Sequence, residues 1–534
     1  MKVNLMPQLR MPRVRLLTFP VSALLVLAFM LQSGAAEGPS AKRRPNIIVV
    51  MADDMGFSDL GCYGGEIKTP NLDRLAKEGM RFSQFYNCAL CGPSRAALMT
   101  GLHPHQVGIS RWTGLLNKRC ATLFELLKGA GYQTCAVGRL DMVTAENWHE
   151  TKNISRYVDR YFGSTGHQGP GNYFADVRNN DFYRDGKPYS IPKGGYKTDL
   201  ITDFVVEFIR EADASQPFFV YMGHYAPHWP LHAKEKDIAK YRELYRDVGW
   251  DKVRQQRLER LINLNILPPE TKLAPLDSRA RPWQQAKNKD WEAERMAVYA
   301  AQIDSLDQSM GRVIETLQAT GADENTLIFF LSDNGASDMG SRQLDKQGQT
   351  WRTDGTPTRA GNRPDIMPGP GDTFATAGPA WSSVANTPFH QHKNTTYEGG
   401  IASPLVVWWP KVVEKGDGIS TELSHVTDIP ATVLDVAGVK YPTQFNERRV
   451  TPLAGKSLLP VMQGHHREGH GTLCWNTSGS RAVREGNWKL VSMPDGRWKL
   501  YDLSQDRTEQ HDLAAEHPRR VSSMAKEFQR WRAE

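Results

Sequence analysis

The chain has 534 residues, with 40% hydrophobic, 23% charged and 9% aromatic side chains. That is several times the ~100–200 residues of a typical domain and close to average soluble composition. A disordered chain, a collagen-like repeat and a polytopic membrane protein are excluded. The formal net charge is +7, but Lys2, Arg10, Arg13 and Arg15 all precede the apolar run at 16–31, and no acid occurs before Glu37. Removing a leader of residues 1–36 takes away those four cations and leaves +3, too nearly balanced for an electrostatic nucleic-acid binder.

That leader has a basic start, an apolar stretch broken by Pro20 and a small-residue end, Gly34-Ala35-Ala36. Its apolar part is short of the ~20 residues a membrane span needs, so the pattern predicts an export signal and no stable membrane anchor. The destination is the periplasm or the medium.

Next come short apolar runs that end at polar residues. Residues 46–51 (NIIVVM) end at Asp53-Asp54, and residues 133–137 lead to Gly138-Arg139. Residues 218–222 lead to His224 and His228, and residues 327–331 end at Ser332-Asp333-Asn334-Gly335. Such runs read as buried strands. Between them, residues 122–127 and 199–210 read as helices. Met296, Tyr299, Ile303, Leu306, Met310, Val313 and Leu317 form one apolar stripe, interrupted by Gly311. Strands alternating with helices predict an α/β fold whose ligands sit outside the carboxyl ends of the strands.

Residues 337–383 show no sustained period and read as a long loop, the kind that carries function. Residues 487–493 and 497–503 flank Pro494-Asp495-Gly496 as a β-hairpin. Pro518 opens a helix with Val521, Met524, Phe528 and Trp531 on one face. The expected organisation is a catalytic domain over 44–465 and a small α+β domain over 466–534.

Six cysteines (Cys62, Cys88, Cys91, Cys120, Cys135 and Cys474) are too few for a disulfide scaffold in a chain of this size. Cys88 and Cys91 form a C-x-x-C, which suggests a redox pair or half of a zinc site, but no second pair completes the latter. Asp53, Asp54, Asp333 and Asn334 are hard oxygen ligands at two strand ends, suited to Ca²⁺ or Mg²⁺ rather than zinc. Any single acid among them could equally cap the next helix.

The segment Cys91-Gly92-Pro93-Ser94-Arg95, continued by Thr100-Gly101, resembles the signature of the sulfatase family. This is the formylglycine-dependent branch of the alkaline-phosphatase-like fold. The resemblance extends to Thr69-Pro70-Asn71-Leu72-Asp73-Arg74-Leu75, Tyr225-Ala226-Pro227-His228, Ser332-Asp333-Asn334-Gly335, Lys393 with Glu398-Gly399-Gly400, and Trp498-Lys499-Leu500-Tyr501. It is similar above all to bacterial arylsulfatase-like members. It implies a large mixed, mostly parallel sheet sandwiched by helices.

It further implies that a formylglycine-generating enzyme converts Cys91 to an aldehyde, whose hydrate attacks the sulfur of a sulfate ester. The substrate would be a sulfated carbohydrate or another organic sulfate. Asp53, Asp54, Asp333, Asn334 and the residue made from Cys91 would hold the cation. Arg95 would hold the nucleophile, while His228 and Lys393 would contact sulfate and the leaving group. The C-x-x-C reading then falls away, leaving Cys88 as a small buried side chain.

The family's G-Y-x-T-x-x-x-G-K-W-H pattern is broken here: Arg139 stands for its lysine and Asp141 for its histidine. Arginine can still bind sulfate, through a planar fork. Asp141 could act as a base, but its charge near sulfate costs binding unless it is paired, with Arg139 a candidate. Trp148-His149 is a further source of an imidazole. Thr477 stands where relatives often carry histidine. These departures predict altered substrate choice. Arg139 and Asp141 also keep open a sulfatase-like glycan-binding protein with impaired turnover, and because sulfate and phosphate share a tetrahedral shape, a phosphate or phosphonate monoester hydrolase on the same fold is a further alternative.

Overall fold

The computed structural model describes residues 1, 43–110, 116–141, 157–164, 173–174, 182–192, 194–339, 357–413 and 418–534. Residues 2–36 of the expected leader, Trp148-His149 and residues 340–356 of the expected loop lie outside the described residues. Among the described residues, no helix is long and apolar enough to cross a membrane.

Four strands carry the polar strand ends: β1 (Asn46–Asp53), β3 (Gln133–Arg139), β7 (Phe218–Pro227) and β8 (Thr326–Ser332), with β2 (Met80–Tyr86) between the first two in the chain. They lie side by side in the order β8-β1-β7-β3, all parallel. The polar residues after each run are therefore brought to one edge of one sheet. The sheet extends past β3 through β4 (Arg160–Ser164) and the two-residue strands β5 (Tyr183–Arg184) and β6 (Lys187–Pro188). Two further short strands, β9 (Arg359–Ala360) and β10 (Thr373–Phe374), pair separately.

Past β8, the sheet continues through β11 (Ala402–Trp408), antiparallel to β8, then β2, antiparallel to β11, and then β12 (Gly418–Ser420) beside β2; β13 (Ser424–His425) also pairs with β2. Eleven strands make a mixed, mostly parallel sheet. β2 and β11 were not among the strands read from the sequence.

Side chains of β1 alternate between two cores. Ile48, Val50 and Ala52 join the cluster under the helices Lys197–Glu211 and Lys289–Ala319, whereas Ile47, Val49 and Met51 join the cluster under Cys91–Thr100 and Asp428–Val436. That period of two is what a strand buried on both faces requires. The apolar stripe at 296–317 lies within the helix Lys289–Ala319, which runs through Gly311 unbroken.

The stretch read as one loop over 337–383 is more structured than expected. It holds the β9–β10 pair and the start of the helix Gly378–Ala385. Helix-capping signals are weak there: Gly and Pro open the helix, and no side chain caps it.

After a two-stranded hairpin of β14 (Gln444–Phe445) and β15 (Arg448–Arg449), the C-terminal part is a meander of β16 (Thr472–Thr477), β17 (Ser480–Glu485), β18 (Trp488–Ser492) and β19 (Trp498–Asp502). One face of the meander packs Val483, Leu490 and Leu500 on Met524 and Phe528 of the helix Pro518–Ala533. The other face, with Trp475, Ala482 and Val491, joins the main core. Buried charges also tie this part in. Lys489 Nζ lies 2.8 Å from both Glu398 Oε1 and Glu509 Oε1, and Tyr86 donates to Glu398 Oε2 at 2.8 Å.

Candidate active site

Cys91 is the first residue of the helix Cys91–Thr100, all ten residues of which are buried. The amino end of a helix favours an anion, because its first N–H groups lack carbonyl partners. Four residues on, one turn inside the helix, Arg95 lies on the same face as Cys91. Its Nη1 donates to Tyr221 Oη and to the carbonyl of Arg139, both at 2.8 Å, and its Nη2 donates to Asp333 Oδ2 at 2.7 Å and lies 3.2 Å from Asp53 Oδ2. A fully buried guanidinium is thus matched by two carboxylates and two neutral oxygens.

Arg139, at the end of β3, spreads its fork over three groups. Nε donates to Asp141 Oδ1 at 2.9 Å, Nη2 lies 2.8 Å from Asp141 Oδ2 and donates to Cys91 Sγ at 3.3 Å, and Nη1 donates to Asp53 Oδ2. Asp141 is therefore paired, and the backbone there is left-handed (φ 53°), a conformation Asp tolerates better than most residues. Asp54 is also left-handed (φ 64°), which turns its carboxylate away from the strand direction. A register irregularity between β1 and β7 falls at the same place, between Met51 and Asp53. Bulges of this kind re-aim side chains beside sites.

Asp54 gathers the remaining expected residues. Its Oδ1 accepts from Lys393 Nζ and, at 2.7 Å, from Asn334 Nδ2; its Oδ2 lies 3.5 Å from His228 Nε2. The Asp54 N–H donates to Asp333 Oδ1 at 3.2 Å. His228 Nδ1 faces the carbonyl of Trp229 at 2.6 Å. The ring proton therefore sits on Nδ1 and Nε2 points toward Asp54. All ten expected site residues are joined by one chain of contacts.

Three acceptor atoms of the expected cation ligands, Asp53 Oδ1, Asp54 Oδ2 and Asn334 Oδ1, are buried and have no hydrogen-bond partner among the described residues. Asp53, Asp54 and His228 also bring one ligand atom each to within 4.8 Å of the others. Buried acceptors without donors are costly, and a hard divalent cation is the group that satisfies carboxylate and amide oxygens together. The donor set fits such an ion.

Charge follows the geometry. Burial alone would raise Asp53, but Arg139, with His228, Arg95 and Lys393, outweighs it and holds the carboxyl well below the usual range. Burial, reinforced by the Asp53 charge, pushes Asp333 up to about 7. Burial also lowers His228, against the pull of Asp54 and Asp53. Lys393 goes the other way: burial opposes its charge, but Asp54 raises it above the ordinary lysine range. The Cys91 thiol is pushed up to about 12 by burial, despite Arg139 and Lys393.

Two supporting residues were not singled out by the sequence. Tyr221 receives Arg95, and Tyr173 donates to the carbonyls of Tyr225 and His228 at 2.6 and 2.9 Å, fixing the turn that presents His228. Tyr221 stands in a strand already read as buried, so its alternation along β7 was a usable signal. Tyr173 had none. Thr477 is joined to the Lys393 segment indirectly: it pairs across the β16–β17 turn with Ser480, whose hydroxyl accepts from the Thr396 N–H at 3.0 Å. Cys88 is buried with its sulfur 3.8 Å from His425 Nε2, and all six cysteines are free.

Residues 45–439 match the family model described as sulfatase. The chain belongs to the sulfatase family. Residues 389–533 of this sulfatase also match the model described as N-sulphoglucosamine sulphohydrolase, C-terminal. An arylsulfatase of Klebsiella aerogenes is 30% identical over 465 residues, covering 82% of this chain and 96% of that protein. An N-acetylglucosamine-6-O-sulfatase of Bacteroides thetaiotaomicron is 28% identical over 495 residues, covering 83% and 75%. Among solved structures, that of Ps i-CgsB aligns with a TM-score of 0.66 at 25% identity, over 92% of this chain and 93% of that one. The mixed sheet between helical layers is the fold expected from the sulfatase resemblance, and the chain is a sulfatase enzyme.

Proposed function

We propose that this sulfatase hydrolyses sulfate esters of a sulfated carbohydrate, with a formylglycine made from Cys91 as its nucleophile and Ca²⁺ or Mg²⁺ as its cation. The relative from Bacteroides thetaiotaomicron, named for a sulfated amino sugar, supports the carbohydrate class. The observation that carries the reading is the junction at Arg139, one guanidinium on Cys91 Sγ, Asp53 and Asp141 at once. A thiol pushed up to about 12 is protonated at neutral pH, so Cys91 unmodified is a poor nucleophile. Conversion is therefore central to the proposal.

Asp53, Asp54, Asp333 and Asn334 would hold the cation, with His228 Nε2 beside them. When bound, the cation supplies Lewis-acid stabilisation of sulfate oxygens, and the hydrated aldehyde supplies a hydroxyl nucleophile. The chain's own residues do the rest. Arg95 orients the modified residue by fixing Asp53, Asp333 and the Arg139 carbonyl. Arg139 donates to the nucleophile position and to a sulfate oxygen. Lys393, kept protonated by Asp54, is the group able to give a proton to the leaving oxygen. His228, held neutral by burial with Nδ1–H committed to Trp229, offers only Nε2. Asp141 keeps its oxygens on Arg139 and serves as the counter-ion that aims it.

Maturation requires a formylglycine-generating enzyme. The leader at 1–36 supports export to the periplasm or medium, which amino-terminal sequencing of the secreted chain would test. The deciding experiment is sulfate release from a panel of sulfated sugars and an aryl sulfate, comparing converted protein with Cys91→Ala. Release from the converted form alone supports the proposal. No release from fully converted protein would leave glycan binding as the function to test.

A further inference from the structure

Lys393 is preceded by a histidine whose two ring nitrogens are both engaged away from the metal cluster. His392 Nε2 lies 2.9 Å from Asp277 Oδ2, and its Nδ1 lies 3.4 Å from Asn386 Nδ2. The Asn386 amide is oriented by its other end, since Oδ1 accepts from the Ala336 N–H at 2.8 Å. Asn386 Nδ2 is therefore a donor, sharing its two hydrogens among His392 Nδ1 and two backbone carbonyls, while the Asp277 carboxylate at Nε2 can only accept. The imidazole proton then sits on Nε2, toward Asp277. His392 is 3% exposed.

Both ends of this pair are anchored. Asp277 Oδ1 accepts from the backbone N–H and Nε of Arg279 at 2.8 and 2.9 Å, and Oδ2 accepts from Arg279 Nη2 at 2.6 Å. The same Nη2 reaches Asp338 Oδ2 at 2.5 Å. Asn386 Nδ2 also donates to the carbonyls of Ala336 and Gln391, each at 3.3 Å, and the Lys393 N–H donates to the Ala336 carbonyl at 3.2 Å. Two segments of the site, 333–338 with Asp333 and Asn334 and 390–393 with Lys393, are thus fastened to the turn at 277–279, which belongs to neither.

We propose that Asp277 and His392 are positioning residues for Lys393. Acting through Asn386 and the Ala336 carbonyl, they set where the ammonium meets Asp54 and the substrate's leaving oxygen. The alternative use of these side chains, as a second cation site with Asp338, is opposed by Arg279, which already neutralises both carboxylates. The proposal rests on the reading of Lys393 given above.

A double-mutant cycle on the converted protein tests it, with an aryl sulfate as probe. Asp277→Asn and His392→Ala are each expected to lower kcat/KM by about tenfold, with melting temperatures near wild type. In a Lys393→Arg background, which retains a cation, each is expected to change kcat/KM by less than about twofold. His392→Gln keeps a donor toward Asp277 and is expected to retain more activity than His392→Ala. Equal fold-losses in both backgrounds, or wild-type rates in the single variants, would overturn the positioning role. If Cys91→Ala or Lys393→Ala retained wild-type kcat/KM, the underlying reading of the site would fail with it.

Discussion

Arg139 grips Asp141 with two nitrogens, Nε at 2.9 Å and Nη2 at 2.8 Å, and the same Nη2 faces the sulfur of Cys91. The departures at 139 and 141 from the sulfatase pattern are therefore one device, a buried ion pair whose cation points at the nucleophile.

The pair should be replaceable only together. Asp141→Ala takes two hydrogen bonds from a buried guanidinium, leaving Asp53 as its remaining carboxylate, and is expected to destabilise the fold by about 1–3 kcal/mol. Arg139→Lys keeps the charge but cannot span Asp141, Asp53 and Cys91 at once, so kcat/KM should drop by roughly 10- to 100-fold. The double variant Arg139→Lys/Asp141→His restores the family's residue pair. It is expected to recover much of the loss of either single change. Chemical denaturation and kinetics on converted protein check both; independent, additive effects would contradict the coupling.

Cation binding should register as stability as well as activity. Asp53 Oδ1, Asp54 Oδ2 and Asn334 Oδ1 have no hydrogen-bond partner among the described residues, so a cation held by them would bind the folded state far better than the unfolded one. Titrating chelator-treated protein with Ca²⁺ should raise the melting temperature progressively, by the equivalent of about 2.7 kcal/mol at 100 times Kd. Asp54→Asn should flatten that titration, and because it also strips the buried Lys393 ammonium of its carboxylate partner it should lower the chelated protein's melting temperature as well. A melting temperature insensitive to Ca²⁺ and Mg²⁺ would remove the metal assignment.

The sequence made the sheet's centre legible because its strands are buried on both faces and end abruptly at chemistry-bearing residues. β1, β3, β7 and β8 all showed this, and they are the four adjacent strands. β2 and β11 escaped because Arg81, Ser83 and Gln84 interrupt one, and Ser403-Pro404 interrupts the other. The expected site residues came from matched motifs, and their convergence followed from parallel topology. Tyr173 and the turn at 277–279 were invisible, since their roles are made by contacts more than 50 residues distant in the chain. The helix Gly378–Ala385 was hidden by Gly, Pro and Ser, which favour loops unless tertiary packing overrides them. Trp381 and Val384 supply that packing, both almost fully buried.

Gly311 read as an interruption of the apolar stripe, and the structure gives it a different meaning. A Cβ there would meet the Asn71 side chain at 2.8 Å. Asn71 cannot simply move aside, because its Nδ2 donates to Asp307 Oδ2 at 2.8 Å and to the Asp307 carbonyl at 3.2 Å. Alanine is a better helix former than glycine by ~1 kcal/mol, so propensity alone predicts that Gly311→Ala stabilises. The close approach predicts net destabilisation, by about 1–3 kcal/mol. Denaturant unfolding of Gly311→Ala decides between them, and a stabilised variant would show that Asn71 relaxes freely.

The buried cluster of Glu398, Lys489 and Glu509 should give the fold a pH signature of its own. Burial, with the neighbouring Glu398 charge, pushes Glu509 up to about 7 even though Lys489 opposes it. Glu398 is held down at about 2, because Lys489, Arg507 and Arg484 outweigh its burial. For Glu509 the folded state holds the proton more tightly than the unfolded chain, so its contribution falls as pH rises from about 4.5 to 7. For Glu398 the sign reverses: its contribution is complete above about 4.5 and is lost as pH falls toward 2. Between pH 5 and 7.5, therefore, Glu509 is the member of this pair that titrates, and Glu509→Gln should make the melting temperature less sensitive to pH over that window. Lys489→Met removes the cation shared by both carboxylates and should steepen the decline, since Glu509 then faces the Glu398 charge without its ammonium, while Arg507 still holds Glu398 ionised. Parallel melting curves for wild type and Glu509→Gln across that window would mean that Glu509 is ionised in the fold, with Lys489 serving both carboxylates.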